Sequence, residues 1–184
     1  MINFMITLVL IISSACLIND LKLFYWSLFL GGLAILLTWI HYEIPWEKLV
    51  SILLHLTYTF FFIILFIHIM KTLFQTSVVN LNLVFGALNG YIIIGLIGCF
   101  LMILLDTNYP DSYAYQENHR LSTFDFIYYS FINLTTLGFG DILPIRGPAK
   151  ALSIVQALFG QLYLTVIVAM MVGKFLNNPA HQKQ

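Results

Sequence analysis

Thr135-Thr136-Leu137-Gly138-Phe139-Gly140-Asp141 is the stretch on which the reading of this chain turns. Two glycines flank one aromatic residue, and paired threonines precede them. Glycine enters the left-handed region of backbone space at little cost, so glycine at alternate positions lets a run turn its carbonyl oxygens to one side. Just upstream, Ser122-Thr123-Phe124-Asp125 has the spacing of a capping box. It starts a helix at Ser122 and places Asp125 favourably in the first turn. That helix runs to about Leu134, and ~13 residues at ~1.5 Å each give roughly 20 Å.

Composition sets the solvent. The chain has 184 residues, of which 60% are hydrophobic and 9% charged, with a mean hydropathy of +0.92. Soluble chains average about 25% charged residues, so this one is expected in a bilayer. The formal net charge is zero, which gives no case for a nucleic-acid partner. Cys16 and Cys99 both lie in apolar runs, and no Cys/His cluster has metal-site spacing.

A spanning helix needs roughly 20 mostly apolar residues. Five candidate spans fit: about 2–17, 23–40, 49–69, 83–105 and 149–175. The first lacks the basic n-region of a signal peptide. Ser13-Ser14-Ala15-Cys16 faintly resembles a lipoprotein processing site, yet the apolar run resumes after Asp20-Leu21-Lys22, which favours a helical hairpin. The expected fold class is an all-α membrane protein with about five transmembrane helices plus a re-entrant helix and loop. The 122–134 helix is too short to cross ~30 Å of hydrocarbon, so it must dip in and return. Non-helical backbone at membrane depth is tolerated only where it is buried in protein or lines a water-filled path. The segment after this helix is therefore expected to border a pore or cavity.

At this point the residues resemble a known family. Asn133-Leu134-Thr135-Thr136-Leu137-Gly138-Phe139-Gly140-Asp141 resembles the signature of tetrameric potassium channels, in a helix–loop–helix setting. The resemblance covers about half the chain. It implies a pore domain over 82–176; the apolar spans before it make 1–76 an N-terminal region of about three transmembrane helices with no charged sensor helix. Within the pore domain the resemblance implies an outer helix, a pore helix (122–135), a filter (136–141) and an inner helix (149–176). It further implies that the carbonyls of Thr136, Leu137, Gly138 and Phe139, with the Thr136 hydroxyl, replace the hydration shell of K+. Thr135, Gly140, Asp141, Tyr128, Tyr129 and Asn133 would support that filter. Tyr128 is placed to hydrogen-bond Asp141, while Tyr129 and Asn133 need new partners, because Phe139 stands where many relatives carry tyrosine. Ile132 replaces a glutamate that pairs with the aspartate after the filter in some bacterial relatives. Gly160 sits where the family has a proposed gating hinge, and as a small residue it equally suits close helix packing. Gln161 and Thr165 share one helix face, near the cavity by resemblance or as polar glue between helices. One motif per chain implies a homotetramer surrounded by lipid.

Charge orients the chain. Lys22 after the first span, Lys71 after the third, and Lys174 and Lys183 after the fifth fall on one side if five helices alternate, so the positive-inside rule expects a cytoplasmic C-terminus and an external N-terminus. Lys48, beside Glu43 and Glu47, votes weakly against this, and Trp39 and Trp46 read as an interfacial belt. Residues 106–148 then face outward and hold five of the eight acids: Asp106, Asp111, Glu117, Asp125 and Asp141. A voltage sensor needs basic residues at every third position of a helix, and the second and third spans have none. The nine residues after Phe175 are too few for a ligand-binding ring. His55 and His68 lie thirteen apart, about 220° around a helix, so interhelical hydrogen bonding is expected ahead of a metal site or pH sensing. Asn133-Leu134-Thr135 is a glycosylation sequon hidden by its helix, and Gly138-Phe139-Gly140 lacks the third glycine of a dinucleotide loop. No enzyme activity and no organic cofactor are expected, since a membrane-embedded enzyme would need converging His, Asp or Ser groups that the spacing does not supply. The remaining alternatives are a weakly selective cation channel and a non-conducting accessory subunit.

Overall fold

The structure is a computed structural model that describes residues 25, 29–36, 38, 48–77, 79–115 and 121–176. In chain order these form α1 (Lys48–Gln75), α2 (Leu81–Asn108), β1 (Tyr113–Tyr115), α3 (Thr123–Leu134), β2 (Ile142–Pro144) and α4 (Gly147–Leu176). Among the described residues, α1, α2 and α4 are long and apolar enough to cross a membrane. They have 28, 28 and 30 residues, or about 42–45 Å at ~1.5 Å per residue. Each outruns its expected span because a helix continues through the headgroup region once its hydrocarbon length is met. The expected span at 2–17 lies outside the described residues, as does much of the one at 23–40, of which 29–36 are helical.

Local signals explain the ends. Asn80 caps α2, its side chain accepting from Leu83 N–H at 2.9 Å. Ser122 caps α3 through a complete capping box: Asp125 N–H donates to Ser122 Oγ, and the Asp125 carboxylate accepts from Ser122 N–H. Pro148 falls near the start of α4, where its missing N–H costs nothing.

Packing centres on α2. α1 lies along one side of it, while α3 and α4 pack on other faces. On the α1 side, Phe100 stacks on Tyr58 at 4.7 Å and on Phe62 at 5.8 Å. The Tyr58 hydroxyl meets Thr38, so the N-terminal helical residues are tied to α1. On the other side a polar chain crosses the bundle. Ser130 Oγ donates to Gly95 O at 2.6 Å, and Gln156 Nε2 donates to Ser130 Oγ at 3.2 Å and to Ile94 O at 3.3 Å. Hydrocarbon offers no water to such groups, so they must pair internally. A side chain at Gly98 would meet the Gln156 amide at 2.3 Å, so only glycine admits this link.

The sequence reading did not anticipate the small sheet. β1 and β2 pair antiparallel, with Tyr113 opposite Pro144 and Tyr115 opposite Ile142. Ile145 N–H adds a bond to Ser112 O at 2.8 Å. This ribbon joins the chain leaving α2 to the chain entering α4, across the end where residues 135–141 lie.

Candidate functional site

The site is built on the C-terminal end of α3. That helix is 12 residues long, about 18 Å at ~1.5 Å per residue. It stops through a Schellman arrangement: Thr136 N–H donates to Asn133 O and Leu137 N–H donates to Ile132 O, both at 3.0 Å. Such an ending needs a left-handed residue after the cap, usually glycine. Here the residue is Thr136, with φ 60°. A β-branched side chain in that region is an outlier and costs about 1–3 kcal/mol. The threonine hydroxyl accepts from Gln161 Nε2 at 3.4 Å.

Beyond Thr136 the left-handed residues recur at every second position, Gly138 at φ 56° and Gly140 at φ 79°. In an ordinary strand successive carbonyls point to opposite sides. Reversing the hand of alternate residues can bring them to one side, and glycine enters that region at little cost. Among the described residues, the carbonyl oxygens of 136–139 accept no hydrogen bond. Leu137 and Phe139 are 61% and 67% exposed in the single chain. Four consecutive unpaired carbonyls form an array of partial negative charge suited to a dehydrated cation.

The expected supports take up definite positions. Tyr128 O–H donates to Asp141 Oδ2 at 2.6 Å. This bond, more than any other influence, pushes the Tyr128 phenol up to about 12 and holds the Asp141 carboxyl below its ordinary value. Tyr129 O–H donates to Ser153 Oγ at 2.9 Å, because Ser153 spends its own proton on Ala149 O. Asn133 Nδ2 is buried with no partner among the described residues. Thr135 Oγ1 donates back to Phe131 O at 2.7 Å, as helix-terminal threonines often do. Thr165 Oγ1 donates to Gln161 O at 2.8 Å, and both residues are exposed in the single chain rather than buried between its helices.

Gly160 lies against this helix end. A side chain there would meet Leu134 O at 2.2 Å, a backbone atom that cannot yield. Close packing is therefore a requirement at this position. Leu134 O also accepts from Tyr91 O–H at 3.1 Å. Sequence reasoning missed Tyr91, Ser130, Gln156 and Ser153; the one available signal was polar residues isolated within apolar helices. Farther away, His55 Nδ1 donates to Ser51 O at 2.7 Å within its own helix. His68 Nδ1 has no partner among the described residues, and no His/Cys/Asp/Glu group among them could hold a metal ion. His41, Trp39, Trp46, Lys22, Lys183, Glu117 and Arg120 lie outside the described residues.

Residues 90–177 match the family model described as ion channel. The matched region takes in most of α2 and all of α3, the 135–141 segment and α4. No curated protein and no solved structure matches the chain. The match supports an ion-channel family for this region, and with it passive ion conduction. Together with three apolar helices of spanning length, it supports residence in a membrane.

Two outcomes are expected. Gly160→Ala overpacks the α3–α4 contact and lowers thermal stability by the equivalent of about 1–3 kcal/mol, read by unfolding in detergent, whereas alanine at Gly173, where nothing lies within 4 Å, does not. For Tyr128→Phe, the Asp141 carboxyl loses its main stabilising donor, so its titration moves to higher pH in carboxylate infrared spectra. In the native pair the carboxylate's contribution is complete above the unfolded aspartate pKa. It is lost only as pH falls through the depressed folded value.

Proposed function

We propose that the chain is one quarter of a potassium-selective channel, with residues 136–139 lining a fourfold axis. The observation that carries this reading is the alternation of left-handed residues at 136, 138 and 140 beside four unpaired carbonyls. In this reading the carbonyls of Thr136, Leu137, Gly138 and Phe139, with the Thr136 hydroxyl, take the place of water around K+. Thr135, Gly140, Asp141, Tyr128, Tyr129 and Asn133 hold the array from behind. α3 is the pore helix, α2 the outer helix and α4 the inner helix of a pore domain over 82–176, with 1–76 as a separate membrane region.

A homotetramer is supported by two features of the single chain. One motif per chain supplies only one wall of a path. In α4, moreover, only 22% of the most apolar window is buried, leaving Leu158, Phe159 and Leu162 among the exposed apolar residues that neighbouring copies would cover. Gln161 and Thr165 then face the axis below the carbonyls. Lys71 and Lys174 lie at one end of the bundle, since Lys174 touches the last turn of α1; the positive-inside rule makes that end cytoplasmic. The acidic residues near 106–141 then sit at the outer mouth, where they concentrate cations. α1 carries no charge between Lys48 and Lys71, which argues against a charged voltage-sensing helix. Phe139 favours a looser alternative, a weakly selective cation channel, because it leaves Asn133 without a hydroxyl to bond.

Purified protein in liposomes tests this. Barium-sensitive K+ flux is expected, with a reversal potential in mixed K+ and Na+ near the K+ value, from particles of four 21.1 kDa chains. Gly138→Ala and Gly140→Ala place a side chain at positive φ and should abolish selective flux without changing membrane insertion. Equal K+ and Na+ permeability would establish the looser alternative, and selective flux surviving in both variants would remove the filter assignment.

A further inference from the structure

α1 ends at Gln75, and the last carbonyls of a helix lack intrahelical partners while carrying the negative end of its dipole. Here three carbonyls are taken by one side chain from another helix. Lys174 Nζ, in the last turn of α4, donates to Leu73 O, Phe74 O and Thr76 O. An ammonium has three N–H donors, and each has an acceptor. Between Lys150 and Lys174, α4 has no other charged residue. The contact continues inward through one apolar cluster that includes Leu73 and Met70 from α1 and Ile167 and Met171 from α4. One ring pair, Phe66 and Tyr163, lies farther along at 6.1 Å.

We propose that Lys174 is a latch joining the end of α4 to the end of α1, through which the N-terminal helices set the balance between conducting and non-conducting states. This rests on reading α4 as the pore-lining helix. When the free end of α4 moves relative to the axis, the end of α1 must follow or the ammonium must leave three carbonyls. Leaving them breaks three charge-assisted hydrogen bonds at once. α1 in turn is bound through Tyr58 to Thr38 in the preceding helical segment. A displacement of the N-terminal region therefore reaches α4 through this cap. The residues before the pore domain thus gain a role that does not require a charged sensor helix.

The test uses full-length protein in nanodiscs and liposomes, with Lys174→Met and Lys174→Arg. Amide hydrogen exchange in nanodiscs reads the cap directly. Residues 70–77 and 170–176 should exchange at least tenfold faster in Lys174→Met and within threefold of wild type in Lys174→Arg, whose guanidinium keeps the donors. Steady-state K+ flux in liposomes should change at least threefold in Lys174→Met and be restored by arginine; the sign identifies which state the latch holds. Unchanged exchange in Lys174→Met overturns the latch. Faster exchange with unchanged flux, in a conducting wild type, overturns its gating role and leaves a packing contact. A wild type that passes no ion overturns the channel reading and the gating role together, while the exchange result still separates that failure from a missing cap.

Discussion

A backbone amide in hydrocarbon must find a partner, and residues 135–141 run where the helical solution ends. The rest of the described structure is arranged around that constraint. α3 is too short to span, and it ends by folding Thr136 N–H and Leu137 N–H back onto its own last carbonyls. This disposes of the donors at the start of the loop. The carbonyls of 136–139 are left without hydrogen-bond donors among the described residues, on a backbone that is left-handed at 136, 138 and 140. An oxygen array of this kind is stable at depth only if something cationic or aqueous meets it. The channel family match over 90–177 agrees with that physical requirement.

The surrounding contacts hold the loop in a conformation it would not adopt alone. Thr136 sits in a costly region, and such strain persists only when the surroundings over-determine it. Several anchors do this. The Schellman bonds grip the backbone, Gln161 grips the hydroxyl, and Tyr128 grips Asp141 at the far end. Gly160 lets α4 press against Leu134 O, and the Ser130–Gln156 pair fixes α3 between α2 and α4. The β1–β2 ribbon restrains the exit from the loop. Each anchor removes a route by which the carbonyls could rotate away.

What the sequence disclosed follows from range. The capping box at Ser122, the positive φ at Gly138 and Gly140, and the Tyr128–Asp141 bond were all legible, since the first two are local and the third lies thirteen residues apart within one motif. Thr136 was expected among the ion-facing residues, but its left-handed conformation was not legible, because that conformation is imposed by the helix end and not by its own preference. Gly160 was ambiguous until the approach of Leu134 O decided that no side chain fits. The three-residue strands carry too few positions for a periodic signal, and they pair across 27 or more residues. Lys174 read only as a charge for topology; its three acceptors lie about 100 positions away. Long-range pairing of this kind leaves no trace in periodicity or composition.

In the proposed channel the carbonyls of 136–139 meet an ion on an axis of symmetry. Anomalous diffraction from crystals grown with thallium(I), a stand-in for K+, reads out that ion. A file of anomalous peaks is expected on a fourfold axis, each between planes of carbonyl oxygens from Thr136 to Phe139. Crystals in which four copies share no axis at this segment, or in which the axis carries no anomalous density beside these carbonyls, would contradict it.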